Sequence, residues 1–284
     1  VDTQNDIAIA KKGTENQDTT AQAVFSVTGK FTDTAFGSTE VTKTLNSAAI
    51  KGKLIVENVY KISETTPPAG YSVVDDFYIK LANDGTIGFV DSAGTAVTQP
   101  SYIANPTYDE DKNSTLTITD TQNAVTLSKK SGNDYLEGAT FTITGGTFAK
   151  DDGSGTVDSD STDGTTEIDW VTTDTAGNAS TKSGTVLTYT GNAITLTGRL
   201  IAGQSYTLTE TVTPKGYVKI NPITVTMGND GHLTYESTSG NVTIANGVTV
   251  VNGTTENSKA PTAAITITNT KNNTPAVIHV TVDN

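Results

Sequence analysis

Three residue types recur in the same order at two places in the sequence, and together they could carry out an amide-forming reaction. Each set has a lysine, then a glutamate, then a residue with a carboxyl or carboxamide group. The two sets are Lys11, Glu64 and Asp120, and Lys129, Glu210 and Asn269. A neutral lysine amine is a nucleophile, and a protonated carboxylic acid activates a carbonyl group by hydrogen bonding to it. The sets suggest one lysine amide crosslink in each half of the chain, with Glu64 and Glu210 assisting.

Each of these six residues falls on the apolar face of a predicted strand, because it follows two apolar residues at alternating positions. Burial lowers the pKa of a lysine and raises that of a carboxyl group, which favours the neutral, reactive forms. The first and last strands of a sandwich commonly lie side by side. We therefore expect Lys11 to lie beside Asp120 and Lys129 beside Asn269.

Two plainer interpretations of these residues stay open. A single polar residue at the end of an alternating strand most often marks the point where the strand meets solvent. A buried ion pair between lysine and glutamate, without bond formation, is the intermediate case. The same parity, in the same order, in two places favours the covalent interpretation.

An internal repeat divides the chain into two modules. Residues 50–71 and 196–217 align without a gap at a constant offset of 146, and Glu64 and Glu210 are equivalent in that alignment. The offset also holds downstream, where an Asn-Asp-Gly turn at 83–85 matches one at 229–231. A repeat of this length indicates two copies of one structural unit.

The composition predicts an all-β protein and excludes several functional classes. Strands rich in Thr, Val, Ile and Tyr are separated by turns drawn from 26 glycines, and no long helical stripe occurs. A net charge of −13 argues against binding to nucleic acid or an anionic membrane. No apolar run is long enough to span a bilayer, so we expect no membrane insertion. With no cysteine, disulfides and cysteine-based metal or redox sites are excluded.

The pattern predicts two domains and a tail. Domain one spans residues 1–122, and domain two spans 123–271 with a surface insertion at 150–184 that holds one hairpin around Trp170. Residues 272–284 form a tail in which 278–284 alternate as a β-strand. Closely spaced aspartates at 158, 160 and 163 do not follow the calcium-loop pattern, and we expect neither a metal nor another cofactor.

The motifs resemble one known family, the collagen-adhesin B-type (CnaB) repeats of Gram-positive surface proteins and pilins. The resemblance rests on YKISETTPPAGY at 60–71, YTLTETVTPKGY at 206–217, LSKKSGNDYLEGATFTI at 127–143 and ITITNTK at 265–271. It implies tandem Ig-like β-sandwiches, each with a glutamate-assisted isopeptide bond. By motif position, the bonds would join Lys11 to Asp120 and Lys129 to Asn269.

These features predict a structural subunit of a bacterial cell-surface fibre, pilus or adhesin stalk, located outside the cell and polymerised with copies of itself. The tail strand could be donated to an exposed sheet edge of the next subunit. It could instead be an extra edge strand of module two or the start of a further repeat. The alternative is an adhesin module that binds a host protein or glycan through the insertion. An enzyme is not expected, because nothing in the sequence forms a nucleophile elbow, a phosphate loop or a carboxylate pair.

Overall fold

The computed structural model describes residues 6–13, 22–31, 41–46, 50–51, 54–111, 113–149, 168–236, 241–247, 249–251, 254–257 and 262–273. Within these residues the protein is built of β-strands and turns, without an α-helix. The predicted all-β fold class is therefore confirmed. In the described part of the chain, no helix is long and apolar enough to cross a membrane.

Module one consists of two sheets with one hydrophobic core. Its described strands are β1 (Asp6–Lys12), β2 (Val24–Gly29), β3 (Val41–Asn46), β4 (Ile50–Lys51), β5 (Val59–Thr66), β6 (Phe77–Leu81), β7 (Ile87–Val90), β8 (Thr107–Tyr108) and β9 (Ser114–Thr119). The sheet orders are β4-β1-β9-β8 and β3-β2-β5-β6-β7. Ile7 and Leu116 from the first sheet share a core with Phe25, Ile62 and Ile79 from the second, as expected for a sandwich.

Module two repeats this plan with additional strands. They are β10 (Ala124–Ser131), β11 (Asp134–Tyr135), β12 (Thr140–Thr144), β13 (Asp169–Asp174), β14 (Ala179–Ser183), β15 (Val186–Thr188), β16 (Gly191–Thr197), β17 (Ser205–Val212), β18 (Ile223–Met227), β19 (Leu233–Glu236), β20 (Val242–Asn246), β21 (Thr249–Val251), β22 (Thr254–Asn257) and β23 (Thr262–Thr268). One sheet runs β14-β13-β16-β10-β23-β20 with β11 paired to β10, a second runs β15-β12-β17-β18-β19, and β21 and β22 form a separate two-stranded sheet. A second hydrophobic core fills this module.

The first and last strands of each module pair in parallel. In module one, β1 lies beside β9 with Lys11 opposite Ile118. In module two, β10 lies beside β23 with Lys129 opposite Ile267. The predicted adjacency of first and last strands is confirmed. The residue opposite each lysine in the last strand comes two positions before the proposed acceptor.

The two repeated turns form β-hairpins. β6 pairs with β7 across Asn83-Asp84-Gly85, and β18 pairs with β19 across Asn229-Asp230-Gly231. Gly85 and Gly231 adopt φ angles of 84° and 79°. A side chain at either position would be strained in this left-handed conformation.

The predicted surface insertion is described from residue 168 onwards, and only part of that stretch lies at the surface: β14 is exposed, whereas alternate residues of β13 are buried. β13 and β14 form the expected hairpin around Trp170, but β13 also pairs with β16 and extends the main sheet. Trp170 is only 3% exposed and lies in the core of module two. The polar composition of the insertion concealed a short alternating run in which Ile168, Trp170 and Thr172 point inwards. Residues 150–167 and the predicted tail strand at 278–284 lie outside the described residues.

Candidate crosslinking sites

In module one, the three residues predicted from the sequence lie together in the core. Lys11 Nζ is 2.7 Å from Glu64 Oε2 and 3.1 Å from Asp120 Oδ2. The exposed fractions of Lys11, Glu64 and Asp120 are 0%, 6% and 1%. A lysine and two carboxyl groups therefore share one site that is closed to solvent.

The backbone of the paired strands holds the Asp120 carboxyl beside the lysine. The alternation of β1 turns Ile7, Ile9 and Lys11 inwards. Beyond the end of β9, the Asp120 N–H donates a 2.7 Å hydrogen bond to the carbonyl of Lys12. This bond continues the parallel ladder by one step and fixes the position of the acceptor residue.

Module two contains the equivalent site. Lys129 Nζ lies 2.9 Å from Glu210 Oε1, and Asn269 Nδ2 donates a 3.2 Å hydrogen bond to the same oxygen. All three residues are buried. The Asn269 N–H donates to the carbonyl of Lys130 at 2.8 Å, which matches the bond from the Asp120 N–H to the carbonyl of Lys12 in module one. The structure thus brings together all six residues that the sequence singled out.

A β-bulge lies beside each glutamate, and sequence reasoning missed it. Glu64 is opposite Phe25, but the next paired residue of β5 is Thr66, so Thr65 is an extra residue without a partner in the ladder. The same arrangement leaves Thr211 unpaired after Glu210. Bulges bend a strand and redirect its side chains. A glutamate followed by threonine at both repeat positions is the one sequence signal that could have indicated it.

Each glutamate is anchored by a backbone N–H as well as by the lysine. Val74 N–H donates a 3.0 Å hydrogen bond to Glu64 Oε2, and Ile220 N–H donates a 3.0 Å bond to Glu210 Oε2. Val74 and Ile220 are equivalent in the repeat. These bonds orient the carboxyl group through Oε2 and leave Oε1 free of the backbone N–H.

An aromatic ring covers each lysine. Lys11 Nζ is 5.5 Å from the centre of the Phe25 ring, and Lys129 Nζ is 5.3 Å from the centre of the Phe141 ring. Phe25 and Phe141 are the residues opposite the two glutamates across the sheet. The rings exclude water and attract the ammonium form through cation–π contact.

Burial shifts the proton affinities of the site towards neutral groups. It raises the pKa of Glu64, although the charge and hydrogen bond of Lys11 oppose the shift. It raises the pKa of Asp120 well above its usual value, against the charge of Lys11 and with a contribution from nearby Glu64. In module two, burial lowers the pKa of Lys129, opposed by the hydrogen bond and charge of Glu210. A neutral amine beside a protonated acid is the form that could react.

Among the described residues, Glu64 Oε1 and Asn269 Oδ1 are buried without a hydrogen-bond partner, and Asp120 Oδ2 has its 3.1 Å ion-pair contact with Lys11 Nζ but no hydrogen bond. Leaving such an atom unpaired costs about 1–3 kcal/mol. The oxygen and nitrogen of an asparagine amide are assigned from their hydrogen bonds. The opposite amide orientation would let a protonated Glu210 donate to the Asn269 carbonyl oxygen.

A buried tyrosine fixes the strand that carries each glutamate. Tyr206 Oη accepts from the Ile201 N–H at 2.8 Å and donates to the Thr147 carbonyl at 2.7 Å. Burial raises the pKa of Tyr206 to about 12, so the hydroxyl remains a donor. Tyr60 makes the equivalent bonds to Ile55 and Lys30. This explains why both tyrosines recur in the repeat.

Among the described residues, no group of three or more His, Cys, Asp or Glu side chains is placed to hold a metal ion.

Comparison with known proteins places module two in a defined class. Residues 123–243 match the family model for the SpaA prealbumin-like fold domain. This match confirms, for module two, the resemblance to Gram-positive pilin-type repeats that the motifs indicated. No curated protein matches the chain significantly.

Solved structures similar to the chain include pilus proteins of Lactobacillus rhamnosus GG. The C-terminal fragment of the pilus adhesin SpaC is 19% identical over 98% of this chain and 100% of that one, with a TM-score of 0.40. The open conformation of SpaC is 18% identical over 97% of this chain and 32% of that one, with a TM-score of 0.36. The shaft pilin SpaA is 19% identical over 80% of this chain and 94% of that one, with a TM-score of 0.26.

Proposed function

We propose that the chain is a structural subunit of a bacterial cell-surface fibre, pilus or adhesin stalk, and that each module seals itself with one intramolecular isopeptide bond. The observation that carries the proposal is the buried contact of Lys11 Nζ with both Glu64 and Asp120, at 2.7 Å and 3.1 Å. An equivalently placed site in module two, with Asn269 in the place of Asp120, supports it. Bond formation occurs once in each module, so it is maturation and not enzymatic turnover.

In module one the reaction is a condensation. The Lys11 ammonium passes a proton to the Glu64 carboxylate, and the neutral amine attacks Cγ of protonated Asp120. A bond forms between Lys11 Nζ and Asp120 Cγ, and a C–O bond of Asp120 breaks. Glu64 activates the carbonyl while protonated, transfers that proton to the leaving hydroxyl, and then takes the second proton from the nitrogen that becomes the amide N–H. The products are an amide and one water molecule.

In module two the acceptor is an amide, so the leaving group is different. Lys129 Nζ forms the bond to Asn269 Cγ, the original C–N bond breaks, and ammonia departs. Glu210 takes the proton from the amine and delivers it to the departing nitrogen. No oxidant or cofactor takes part in either reaction.

The proposed bonds would tie the first strand of each module to its last. Tension applied at the two ends of a module would then pass through the covalent tie and bypass the remaining strands. In the chain-entropy model for disulfides, closing a loop of about 100 residues stabilises a fold by about 4–5 kcal/mol. This gain suits a cysteine-free protein that works outside the cell.

The expected partners are further copies of the chain. Donation of the strand at 278–284 to the next subunit stays a prediction, because these residues lie outside the described part of the structure. Deleting residues 274–284 and following polymer formation tests it, and polymers that form unchanged would disprove strand donation.

The adhesin alternative depended on the insertion at 150–184 as a binding surface. Its described part forms strands that complete the sheet of module two. This packing favours a structural role for that segment over recognition of a host protein or glycan.

The mass of the intact, denatured chain tests the proposal directly. Two bonds predict a mass lower by about 35 Da, from one water and one ammonia. The variants Lys11→Arg and Lys129→Arg should each lack the mass loss of their own module and keep that of the other. A wild-type mass equal to that calculated from the sequence would disprove the crosslinks.

A further inference from the structure

The two modules meet through a short hydrogen-bonded junction. The turn between β18 and β19 of module two lies against the Pro-Gly loop of module one. Val73 N–H donates a 2.8 Å hydrogen bond to the Asn229 carbonyl, and Asn229 Nδ2 donates a 3.0 Å bond to the Thr65 carbonyl. Beside these bonds, Tyr71 of module one packs with Ala149 of module two. This turn and loop, together with the packing of Tyr71 against Ala149, form the junction in the described residues.

Module two repeats the loop that receives this turn. Tyr217 N–H donates to the Pro214 carbonyl at 3.1 Å, as Tyr71 N–H does to Pro68 at 3.1 Å. Asn272 N–H donates to the Gly216 carbonyl at 2.8 Å, as Asn123 N–H does to Gly70 at 2.9 Å. The receiving backbone is thus built twice, once in each module.

Within the described part of the chain, only the copy in module one is covered. Residues 70–73 are buried at the junction, whereas Gly216, Val218 and Lys219 are exposed. Val218 is 50% exposed, and Val212 at the end of β17 is 52% exposed. We call Val212 together with residues 215–219 the exit face of module two. Its apolar part has no cover among the described residues.

Module one carries the turn that would fit this face. Ala82 N–H donates to the Thr86 carbonyl at 2.8 Å, and Gly228 N–H donates to the His232 carbonyl at 2.8 Å. In both turns the aspartate Oδ1 accepts the N–H two residues later, at 3.0 Å for Asp84 and 3.1 Å for Asp230. Asn83 is exposed and occupies the place of Asn229. The Asn83 turn of module one therefore has the same geometry as the Asn229 turn that contacts module one at the junction.

Charge distinguishes the exit face from its equivalent in module one. Exposed lysines occupy three positions around it, where module one has neutral residues. They are Lys215, Lys219 and Lys271, in place of Ala69, Val73 and Gln122. The Asn83 turn carries the exposed, acidic Asp84. The lysines around the exit face are therefore complementary in charge to this turn.

We propose that the exit face of module two binds the Asn83 turn of a second copy of the chain, repeating in trans the junction seen within it. The contact joins two different surfaces and does not close on itself, so it generates a linear array. It rests on the proposed function for its setting, because a junction this small becomes effective only when subunits are held at high local concentration, as in a fibre.

A cysteine pair can test this docking directly, because the natural chain has no cysteine. In the internal junction, a backbone hydrogen bond joins Val73 to Asn229, and disulfides need Cα atoms about 4.4–6.8 Å apart. The test variant is the full chain with Asn83→Cys and Lys219→Cys, oxidised in a glutathione buffer at high protein concentration. Val73→Cys with Asn229→Cys reports whether this geometry closes within one chain. Asn83→Cys with Ser180→Cys, on the exposed edge strand β14, reports random collision.

The expected result is a ladder of linear disulfide-linked oligomers that forms at least about tenfold faster than in the Ser180 pair, a difference of about 1.4 kcal/mol. Raising the salt to about 1 M should slow it, because salt screens the lysines of the exit face. Equal rates in the two pairs overturn the proposal. The proposal is also overturned if the test variant stays monomeric while the internal pair forms its disulfide. This holds whatever prevents docking, including cover of the face by residues 274–284. Because the intact-mass measurement does not depend on docking, failure of either proposal is recognised separately.

Discussion

The hydroxyl group of Thr211 donates a 3.1 Å hydrogen bond to the carbonyl of Thr140 across the β-bulge that follows Glu210. Thr65 makes the same bond to Val24, also at 3.1 Å. The bond closes the gap that the extra residue leaves in the ladder. It therefore holds the bulge in the shape that directs each glutamate towards its lysine.

Loss of this bond should slow crosslinking without abolishing it. Thr211→Val keeps the side-chain shape and removes one hydrogen bond, worth about 1 kcal/mol, so we expect bond formation in module two to slow by up to about fivefold. Cell-free synthesis quenched at intervals, followed by mass measurement, gives the time course. Thr211→Ser keeps the hydroxyl and should react at the wild-type rate. A Val variant as fast as the Ser variant would contradict this role of the bulge.

Replacing the glutamate should block the crosslink in its own module alone. In Glu210→Gln the amide can neither take the lysine proton nor return it to the leaving group, so the variant should lack the ammonia loss of about 17 Da and keep the water loss of about 18 Da. Peptide mapping should find the Lys11–Asp120 linkage intact. Glu236→Gln, at an exposed site on β19, is the matched control. A full mass deficit in Glu210→Gln would show that the glutamate is dispensable.

The two bonds should respond differently to pH. Burial raises the pKa of Asp120, and only its protonated form can lose water. As the pH rises through that pKa, the reactive form disappears, and the rate in module one should fall about tenfold per pH unit above it. Asn269 has no such carboxyl group, so module two should lack this loss. Refolding never-folded protein over a pH series, with mass measurement, gives both profiles.

The variant Asp120→Asn provides the control for the pH experiment. It should abolish the loss of rate at high pH in module one and change the leaving group from water to ammonia. A pH profile that remains unchanged in this variant would assign the dependence to another group.

The covalent tie should account for much of the stability of module two. Asn269→Ala removes the acceptor and leaves the contact between Lys129 and Glu210, so the free energy of unfolding should fall by about 4 kcal/mol. Thr268→Ala, at the neighbouring half-buried position, should change it by less than about 1 kcal/mol. Denaturant unfolding followed by circular dichroism measures both. Equal stability of the two variants would argue against a bond at Asn269.

Trp170 should contribute as a core residue. Trp170→Ala removes a large side chain from the core of module two and should destabilise it by about 3–5 kcal/mol. Val186→Ala, at a position that is 54% exposed, should have little effect. Circular dichroism measures both, since the variant lacks the only tryptophan of the chain. A Trp170 variant as stable as the wild type would return β13 to the surface.

The placement of the six polar residues could be predicted because strand parity is a local property. Because Ile62 points inwards, Glu64, two residues later on the same strand, points inwards as well. The parallel pairing of first and last strands then brings Lys11 to Asp120. The bulge at Thr65 could not be predicted in this way, because it comes after the last residue that the alternation describes. The same limit hid Trp170, whose inward position depends on the pairing of β13 with β16.

The junction between the modules lay beyond the sequence for a different reason. The contact of Asn229 with Val73 joins residues 156 positions apart, and it depends on how two complete modules are oriented. Nothing in the Asn-Asp-Gly motif distinguishes a turn that faces solvent from one that faces another module. The repeat offset became informative only when one of the two equivalent turns was seen in contact.

The parallel pairing of β1 with β9, and of β10 with β23, also determines how force acts on these modules. In a parallel pair, the beginning of one strand and the end of the other lie at opposite ends of the sheet. In a module without the proposed covalent tie, pulling on these ends would load the hydrogen bonds between the strands in shear, so that they would resist together and would not open one after another. Each module would therefore extend little under tension, because its two loaded ends already lie at opposite ends of the sheet.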